Sequence, residues 1–367
     1  MSTPYRDRTH HAGAPAGRIL WLDTARGIGI LLVVFGHVLH GLILGGIATG
    51  PGWDAAFVTL YTFHMPLFMV LAGTNIPATY GQAPEAGVFL RRKLVAIGYP
   101  YVLWSLVQGV SLILLSAHTN HRVTWGRLLQ IGWNPIAQFW FLYALLLYAV
   151  VIGIAGTRRG VLIGLAAAAI LLEPLATRGG GIGLTLHHAP FFIAGIIGSR
   201  AILARDAPPS ARAVLGWSAL FLVGRALIPQ QMPYGYLSLA AYPCALAGIW
   251  LVLAMARALR GQAAQWLAML GRASMPIYVL HLFAASGLRI LLVRLGVELP
   301  APVHLLLGTA VGVGAPLAAC ALLDRHWLLP LLGLGGGTRR ERAIRRQATP
   351  SFGGGAWSGR AADSQHG

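Results

Sequence analysis

WLDTARGIGILLVVFGHVLHGL, residues 21–42, is the stretch that decides the fold. It is almost wholly apolar and long enough to cross the hydrocarbon core of a bilayer, which takes about 20 residues of helix. Four ionisable side chains, Asp23, Arg26, His37 and His40, interrupt it. Ionisable groups are costly inside a membrane, and those that occur there usually serve function. The stretch therefore predicts a membrane-spanning helix that carries part of a functional site.

The composition extends this prediction to the whole chain. Of the 367 residues, 56% are hydrophobic and only 10% are charged, whereas soluble domains are about 25% charged. A soluble globular protein is thereby excluded. We predict an all-α integral membrane protein with about ten transmembrane helices in one bundle. The predicted spans lie near residues 20–46, 54–77, 94–116, 137–156, 160–176, 186–203, 213–228, 236–256, 274–293 and 303–323.

The basic residues give the topology. The formal net charge is +18, but Lys and Arg cluster in alternate connections, as expected for cytoplasmic loops and not for a nucleic-acid-binding face. With both termini cytoplasmic, all but six basic residues lie on the cytoplasmic side; the six are Arg122, Arg127, Arg178, Arg225, Arg289 and Arg294. We predict a multi-pass protein with no nucleic-acid partner.

Three segments follow from this map. Residues 1–17 are polar and are interpreted as an uncleaved cytoplasmic N-terminal tail. Residues 18–330 form the transmembrane domain. Residues 331–367 are Gly-rich and basic, and are predicted to be a disordered cytoplasmic tail that contacts anionic membrane lipid.

Arg26 and His37 share one face of the first helix. Eleven residues make three helical turns plus about 20°, with a rise of about 16 Å. Arg26 is then near the cytoplasmic end and His37 close to mid-membrane. Taken separately, each residue has a simpler interpretation. Arg26 could be a snorkelling anchor at the membrane surface, and His37 could be a hydrogen-bonded packing residue. Their common face favours a shared functional role.

Four motifs, in order along the chain, resemble the acyltransferase family 3 of integral membrane proteins, in particular its fucose 4-O-acetylase-like branch. They are the Arg-x10-His pattern from Arg26 to His37, FHMPLFMVLAGTNI at 63–76, FLRRKLVAIGYPYVLWSL at 89–106 and GRASMPIYVLH at 271–281. Ala72 stands where the family usually has serine. The resemblance covers residues 18–325 and implies an enzyme that acylates hydroxyls of sugars or glycans in the bacterial inner membrane.

The resemblance implies acyl-CoA, with acetyl-CoA foremost, as a co-substrate and no bound cofactor. His37 is the candidate catalytic base, because neutral imidazole accepts a proton near neutral pH. Arg26 is the second candidate catalytic residue, since it would position the donor. Arg91, Arg92 and Lys93 are candidates for binding the donor phosphates, although a short cytoplasmic turn is basic in any membrane protein.

Asp23 and His64 are further candidates for the neighbourhood of Arg26 and His37. Asp23 is one turn before Arg26, so it either orients Arg26 through a salt bridge or is a helix N-terminal carboxylate. His64 belongs to the second helix, where Pro66 predicts a kink. His64 is a second polar group of a shared cavity or a packing residue.

The late motif supplies four further candidates. Arg272 is interpreted as a rim anchor or a phosphate contact. Ser274 is predicted to cap a helix whose first turn tolerates proline. Tyr278 and His281 then share a helix face, and His281 is expected next to the site.

No metal site is predicted, since the chain has no HExxH motif and its two cysteines are far apart. A multi-span transporter of a sugar or small anion is the alternative from another functional class, because transport pathways also use intramembrane Arg and His. A lipid-linked glycosyltransferase with Asp54 as base is a second alternative. The missing internal repeat and the ordered motifs favour the acyltransferase.

Overall fold

The predicted first span is one continuous helix, α1, from Leu20 to Leu44. In the computed structural model, residues 19–83, 85–114, 124–228 and 235–335 are described. Within these ranges the fold is all-α, as predicted. α1 packs against the second helix and against four helices from the C-terminal half of the chain. The helix that carries Arg26 and His37 therefore packs against protein on several sides.

The helices follow one another with short connections. They are α1 (Leu20–Leu44), α2 (Pro51–Thr74), α3 (Ile76–Gly81), α4 (Ala86–Lys93), α5 (Tyr99–Leu114), α6 (Trp125–Leu128), α7 (Trp140–Ala155), α8 (Arg159–Leu172), α9 (Gly181–Leu203), α10 (Ala211–Leu227), α11 (Ala241–Ala258), α12 (Gly261–Arg272), α13 (Ser274–Arg294) and α14 (Ala301–Arg325). A π-helical turn, Leu94–Gly98, joins α4 to α5. Pro100 lies in the next turn and lacks the N–H of a regular helix.

Eight helical segments of the described chain are long and apolar enough to span a membrane. The predicted number was about ten. The two predicted spans that fall short are helical but brief: α8 has 14 residues and α10 has 17. α12 is an additional helix of 12 residues that the sequence reading did not predict. The chain is a multi-pass membrane protein.

Two pairs of glycines set the closest helix contacts. A Cβ on Gly27 of α1 would lie 1.9 Å from the carbonyl oxygen of Leu267 in α12, and one on Gly271 would lie 1.9 Å from the carbonyl oxygen of Asp23. The backbones of α1 and α12 therefore touch directly. Small residues allow such contacts in membranes, where packing drives helix association.

The crossing of α2 and α9 is built in the same way. A Cβ on Gly73 would lie 2.1 Å from the carbonyl oxygen of Phe192, and one on Gly195 would lie 2.2 Å from that of Val70. Each helix thus has a glycine that lies directly against the backbone of the other helix. The two crossings fix α1 and α2, the helices that carry the first two sequence motifs.

The predicted tails lie almost entirely outside the described residues. This holds for all of 1–17 and for 336–367. The described part of the predicted C-terminal tail packs on the bundle: Leu334 is buried, and Trp104 Nε1 donates a hydrogen bond of 2.8 Å to the Leu332 carbonyl.

Replacing either crossing glycine of α1 and α12 by alanine should destabilise the protein. In Gly27→Ala or Gly271→Ala the new methyl group meets backbone, which yields less readily than a side chain, and overpacking typically costs about 1–3 kcal/mol. Gly41→Ala is the matched control in α1, because a Cβ there has nothing within 4 Å. Thermal unfolding in detergent should show a midpoint several degrees lower for the first two variants only. Equal midpoints for all three would contradict the close crossing.

Candidate active site

Arg26 lies in the second turn of α1 and forms a salt bridge with a residue of the first turn. Its Nη1 donates to Asp23 Oδ1 at 2.9 Å, and the Asp23 side chain is 9% exposed against 24% for Arg26. Asp23 is also the acidic residue of the first turn of α1, so both readings of Asp23 hold. The salt bridge occupies one edge of the guanidinium and fixes its direction.

A cavity of about 490 Å³ opens beside this salt bridge. Most of its walls are the ends of helices: the start of α1, the end of α2, and the junction of α12 with α13. Its polar lining residues are Asp23, Arg26, Asn75, Arg272 and Ser274, and its apolar wall includes Phe68, Ala72 and Phe141. The structure therefore brings together residues from the first, second and fourth sequence motifs.

Ser274 is the first residue of α13 and does not cap it. The N-cap position is Ala273, and the helix start has no side-chain cap hydrogen bond. The prediction that Ser274 caps this helix was wrong by one residue, because α12 continues almost directly into α13. Ser274 instead lines the large cavity.

A second cavity, of about 50 Å³, lies around His37. His37 is joined in its lining by Gln138 and Tyr278, by the aromatic residues Tyr61, Trp140 and Tyr236, and by Met65, Leu184 and His188. The linings of the two cavities meet at a pair of aromatic rings. Phe141 lines the large cavity, and its ring centroid is 5.6 Å from that of Tyr278, which lines the small one.

One ring nitrogen of His37, Nδ1, is hydrogen-bonded to the backbone of α1. This nitrogen lies 2.9 Å from the carbonyl oxygen of Val33. A carbonyl only accepts, so we assign the proton to Nδ1 and the free lone pair to Nε2. His37 is partly exposed, into the small cavity. The ring of His281 is edge-on at 5.0 Å between centroids, which places His281 directly beside His37.

His64 and His281 are both fully buried next to the site. The Nδ1 of His64 lies 2.8 Å from the Leu60 carbonyl, and that of His281 lies 2.7 Å from the Tyr278 carbonyl. The Nε2 of each ring has no hydrogen-bond partner. The hydroxyl of Tyr61, whose ring centroid is 6.1 Å from that of His37, is likewise unpartnered. Such orphaned groups in a native fold are rare and need an explanation.

The connection between α6 and α7 enters the bundle and was not foreseen from the sequence. Tyr101 and Tyr278 donate hydrogen bonds to the carbonyls of Ile131 and Gln138. The side-chain amides of Gln108 and Gln138 pair reciprocally, at 3.0 and 2.7 Å. Irregular backbone is tolerated at membrane depth only where protein or a cavity receives it. This connection thus builds one wall of the small cavity.

Arg91, Arg92 and Lys93 occupy the last turn of α4, so the predicted basic turn is helical. Arg92 Nη1 donates to the Gln82 carbonyl at 3.3 Å, and Lys93 Nζ lies 5.3 Å from the centre of the Phe89 ring. None of the three lines either cavity described above. Their role in donor binding stays a prediction. Within the described residues, no group of three or more His, Cys, Asp and Glu side chains is arranged to hold a metal ion.

Comparison with known proteins identifies the family. The family model described as an acyltransferase domain, of the acyltransferase 3 group, matches residues 19–323. The chain belongs to this acyltransferase family. The resemblance found in the sequence motifs is thereby confirmed. The matched range contains both cavities and all the candidate site residues.

Two curated relatives of this acyltransferase-family chain are nodulation proteins NolL. The one from Mesorhizobium japonicum is 30% identical over 151 residues, which are 39% of this chain and 38% of that relative. The one from Sinorhizobium fredii is 28% identical over 146 residues, which are 40% of this chain and 38% of that relative. The chain thus matches about two fifths of the length of each. No solved structure matches the chain significantly.

Substitutions at the paired amides test whether Gln108 holds the α6–α7 connection, which forms one wall of the small cavity. Gln108→Leu leaves the buried Gln138 amide without its partner, and a buried orphaned polar group costs about 1–3 kcal/mol. The thermal midpoint in detergent should fall. The double variant Gln108→Leu/Gln138→Leu should recover part of that loss, because no orphan remains. Gln265→Leu, the same change at an exposed position of α12, is the control. A fall that is simply additive in the double variant would contradict the pairing.

Proposed function

We propose that this chain is an integral membrane O-acyltransferase, and specifically an O-acetyltransferase of the bacterial inner membrane. It transfers an acyl group from acyl-CoA on the cytoplasmic side to a hydroxyl of a sugar or glycan. One observation carries the proposal: Arg26 and His37, on one face of α1, line two separate cavities whose linings meet at the rings of Phe141 and Tyr278. Family membership favours acyl transfer over the transporter alternative.

The large cavity would receive the nucleotide end of the donor. Arg26 and Arg272 both line it, and guanidinium groups bind phosphate oxygens through paired donors. The salt bridge to Asp23 leaves the other edge of the Arg26 guanidinium for phosphate. Arg91, Arg92 and Lys93 are proposed to contact the outermost phosphate, at the exposed end of α4.

The pantetheine arm would reach from this cavity toward His37. The eleven residues between Arg26 and His37 rise about 16 Å, which is of the order of an extended pantetheine arm. That path would pass the contacting rings of Phe68, Phe141 and Tyr278. Binding of the arm would displace these rings, so the thioester would meet His37 only when the donor is fully seated.

The chemistry is a single acyl transfer. The acceptor hydroxyl oxygen attacks the thioester carbonyl carbon while His37 Nε2 takes the hydroxyl proton. The new C–O bond forms, the C–S bond breaks, and the thiolate of CoA takes the proton back from the imidazolium. The unpartnered hydroxyl of Tyr61 would donate to the oxyanion that develops on the carbonyl oxygen. His281, edge-on to His37, would hold the base in place.

The acceptor would enter the small cavity from the side opposite the large one. Trp140, Tyr61 and Tyr236 line it and offer ring faces of the kind that pack on sugars. The name of the relatives, nodulation protein, does not specify the acceptor. We therefore propose the class, a hydroxyl of a sugar or glycan.

Purified protein should transfer acetyl from acetyl-CoA to members of a panel of methyl glycosides of glucose, galactose, mannose and fucose. His37→Ala should lower kcat by a factor of about 10²–10⁴, the usual contribution of a general base. Arg26→Ala should mainly raise the KM for acetyl-CoA, and Arg26→Lys should restore it only in part because lysine lacks the paired donors. Mass spectrometry of the glycosides measures the product.

His304→Ala is the control, because His304 is buried in α14 and lines neither cavity described here. It should keep the wild-type rate. A folded His37→Ala protein with wild-type turnover would remove His37 from the chemistry. Transport of a glycoside without acetylation would overturn the proposed function.

A further inference from the structure

Four histidines from four different helices share one geometry. In each, Nδ1 lies within hydrogen-bond distance of a carbonyl in the preceding turn of its own helix. The pairs are His37 with Val33 at 2.9 Å, His64 with Leu60 at 2.8 Å, His188 with Leu184 at 2.8 Å and His281 with Tyr278 at 2.7 Å. Because carbonyls only accept, each ring carries its proton on Nδ1, and each Nε2 is an acceptor.

Two of these rings, His37 and His188, line the same small cavity. His188 is on α9, packed beside Trp140 with 4.8 Å between ring centroids, and is 2% exposed. His64, on α2, is within electrostatic range of both. The acyl-transfer step proposed above uses only one of the two cavity-lining histidines. The second, His188, has its Nε2 left as an acceptor and has no role in that step.

The chemistry of the cavity identifies what this second acceptor would bind. In a neutral imidazole whose proton is on Nδ1, Nε2 pairs only with a hydrogen-bond donor, such as an O–H group. None of the described residues that line the cavity is a carboxylate, and no metal-binding arrangement exists among the described side chains. A cavity of about 50 Å³ exceeds the space that one hydroxyl-sized group needs. It therefore has room for a second hydroxyl beside the one that His37 would deprotonate.

We propose that His188 is a specificity-determining residue that accepts a hydrogen bond from a second hydroxyl of the acceptor, next to the hydroxyl that His37 deprotonates. The acceptor class is then a vicinal diol, such as two adjacent ring hydroxyls of a sugar, and not a simple alcohol. This inference rests on the proposed acyl transfer. It adds a residue and a substrate feature that the transfer chemistry alone does not require.

Model alcohols isolate the second hydroxyl from the rest of a sugar. Acetyl transfer from acetyl-CoA is measured to cyclohexanol and to cis- and trans-1,2-cyclohexanediol. The wild-type protein should use at least one diol with a kcat/KM about tenfold or more above that of cyclohexanol, because a site built to pair with a hydroxyl rejects analogues that lack it.

Variants at position 188 then assign the effect. His188→Phe keeps a ring but removes the acceptor nitrogen, so the ratio of kcat/KM for the diol to kcat/KM for cyclohexanol should fall to about one. His188→Gln places an amide oxygen near the position of Nε2 and should restore part of the preference. His304→Phe, at a buried histidine of α14 that lines neither cavity described here, should keep the full preference.

Equal use of cyclohexanol and both diols by the wild-type protein would overturn the inference, and so would a diol preference that survives in His188→Phe. A His188→Phe protein that loses all activity, with cyclohexanol as well, would show a general role and would also overturn it. If no alcohol and no methyl glycoside is acetylated by folded wild-type protein, the proposed function itself fails. The two failures are thus distinguishable.

Discussion

The hydrogen bond from His37 Nδ1 to the Val33 carbonyl is the interaction on which the site depends. A membrane interior penalises a polar group without a partner, so pairing one ring nitrogen lowers the cost of a histidine there. Pairing Nδ1 with its own helix does this without any other side chain. It also decides the tautomer, so that Nε2 is left as the basic atom. The same pairing leaves Nε2 of His188 as an acceptor, and His188 lines the same cavity.

The close helix crossings at glycines hold the helices that line the two cavities. Because α1 and α12 touch at Gly27 and Gly271, the turn with Asp23 and Arg26 is held against the helix that ends in Arg272. The crossing of α2 and α9 at Gly73 and Gly195 fixes the helices that carry His64 and His188. Rigid helices thus hold both cavities, which is the arrangement that positions reacting groups well.

The sequence predicted the parts that depend on helix periodicity and hydropathy. Arg26 and His37 could be placed on one face because their spacing is a local property of one helix. The all-α membrane fold followed from the apolar runs, and the family followed from the order of its motifs. The number of spans was less secure, because α8 and α10 are apolar but short.

Contacts between distant segments were beyond the sequence pattern. Nothing in the spacing indicated that the loop ending at Gln138 would pair with Gln108. Two adjacent histidines, His187 and His188, were visible in the sequence, but the pattern did not show which of them reaches the cavity. The basic cluster at Arg91 was predicted as a turn because hydropathy marks where a span ends, not whether the polar residues continue as helix.

Sided transfer in proteoliposomes tests most directly the claim that donor and acceptor reach His37 from opposite ends. Protein is reconstituted in one orientation, acetyl-CoA is supplied only on the side of Arg26, and a methyl glycoside accepted in solution is confined to the other side. Leakage of each compound is monitored with His37→Ala vesicles. Acetylated glycoside should form across the membrane. Product that forms only when both compounds share the Arg26 side would contradict the two-ended site and place the chemistry at the rim, beside Arg26.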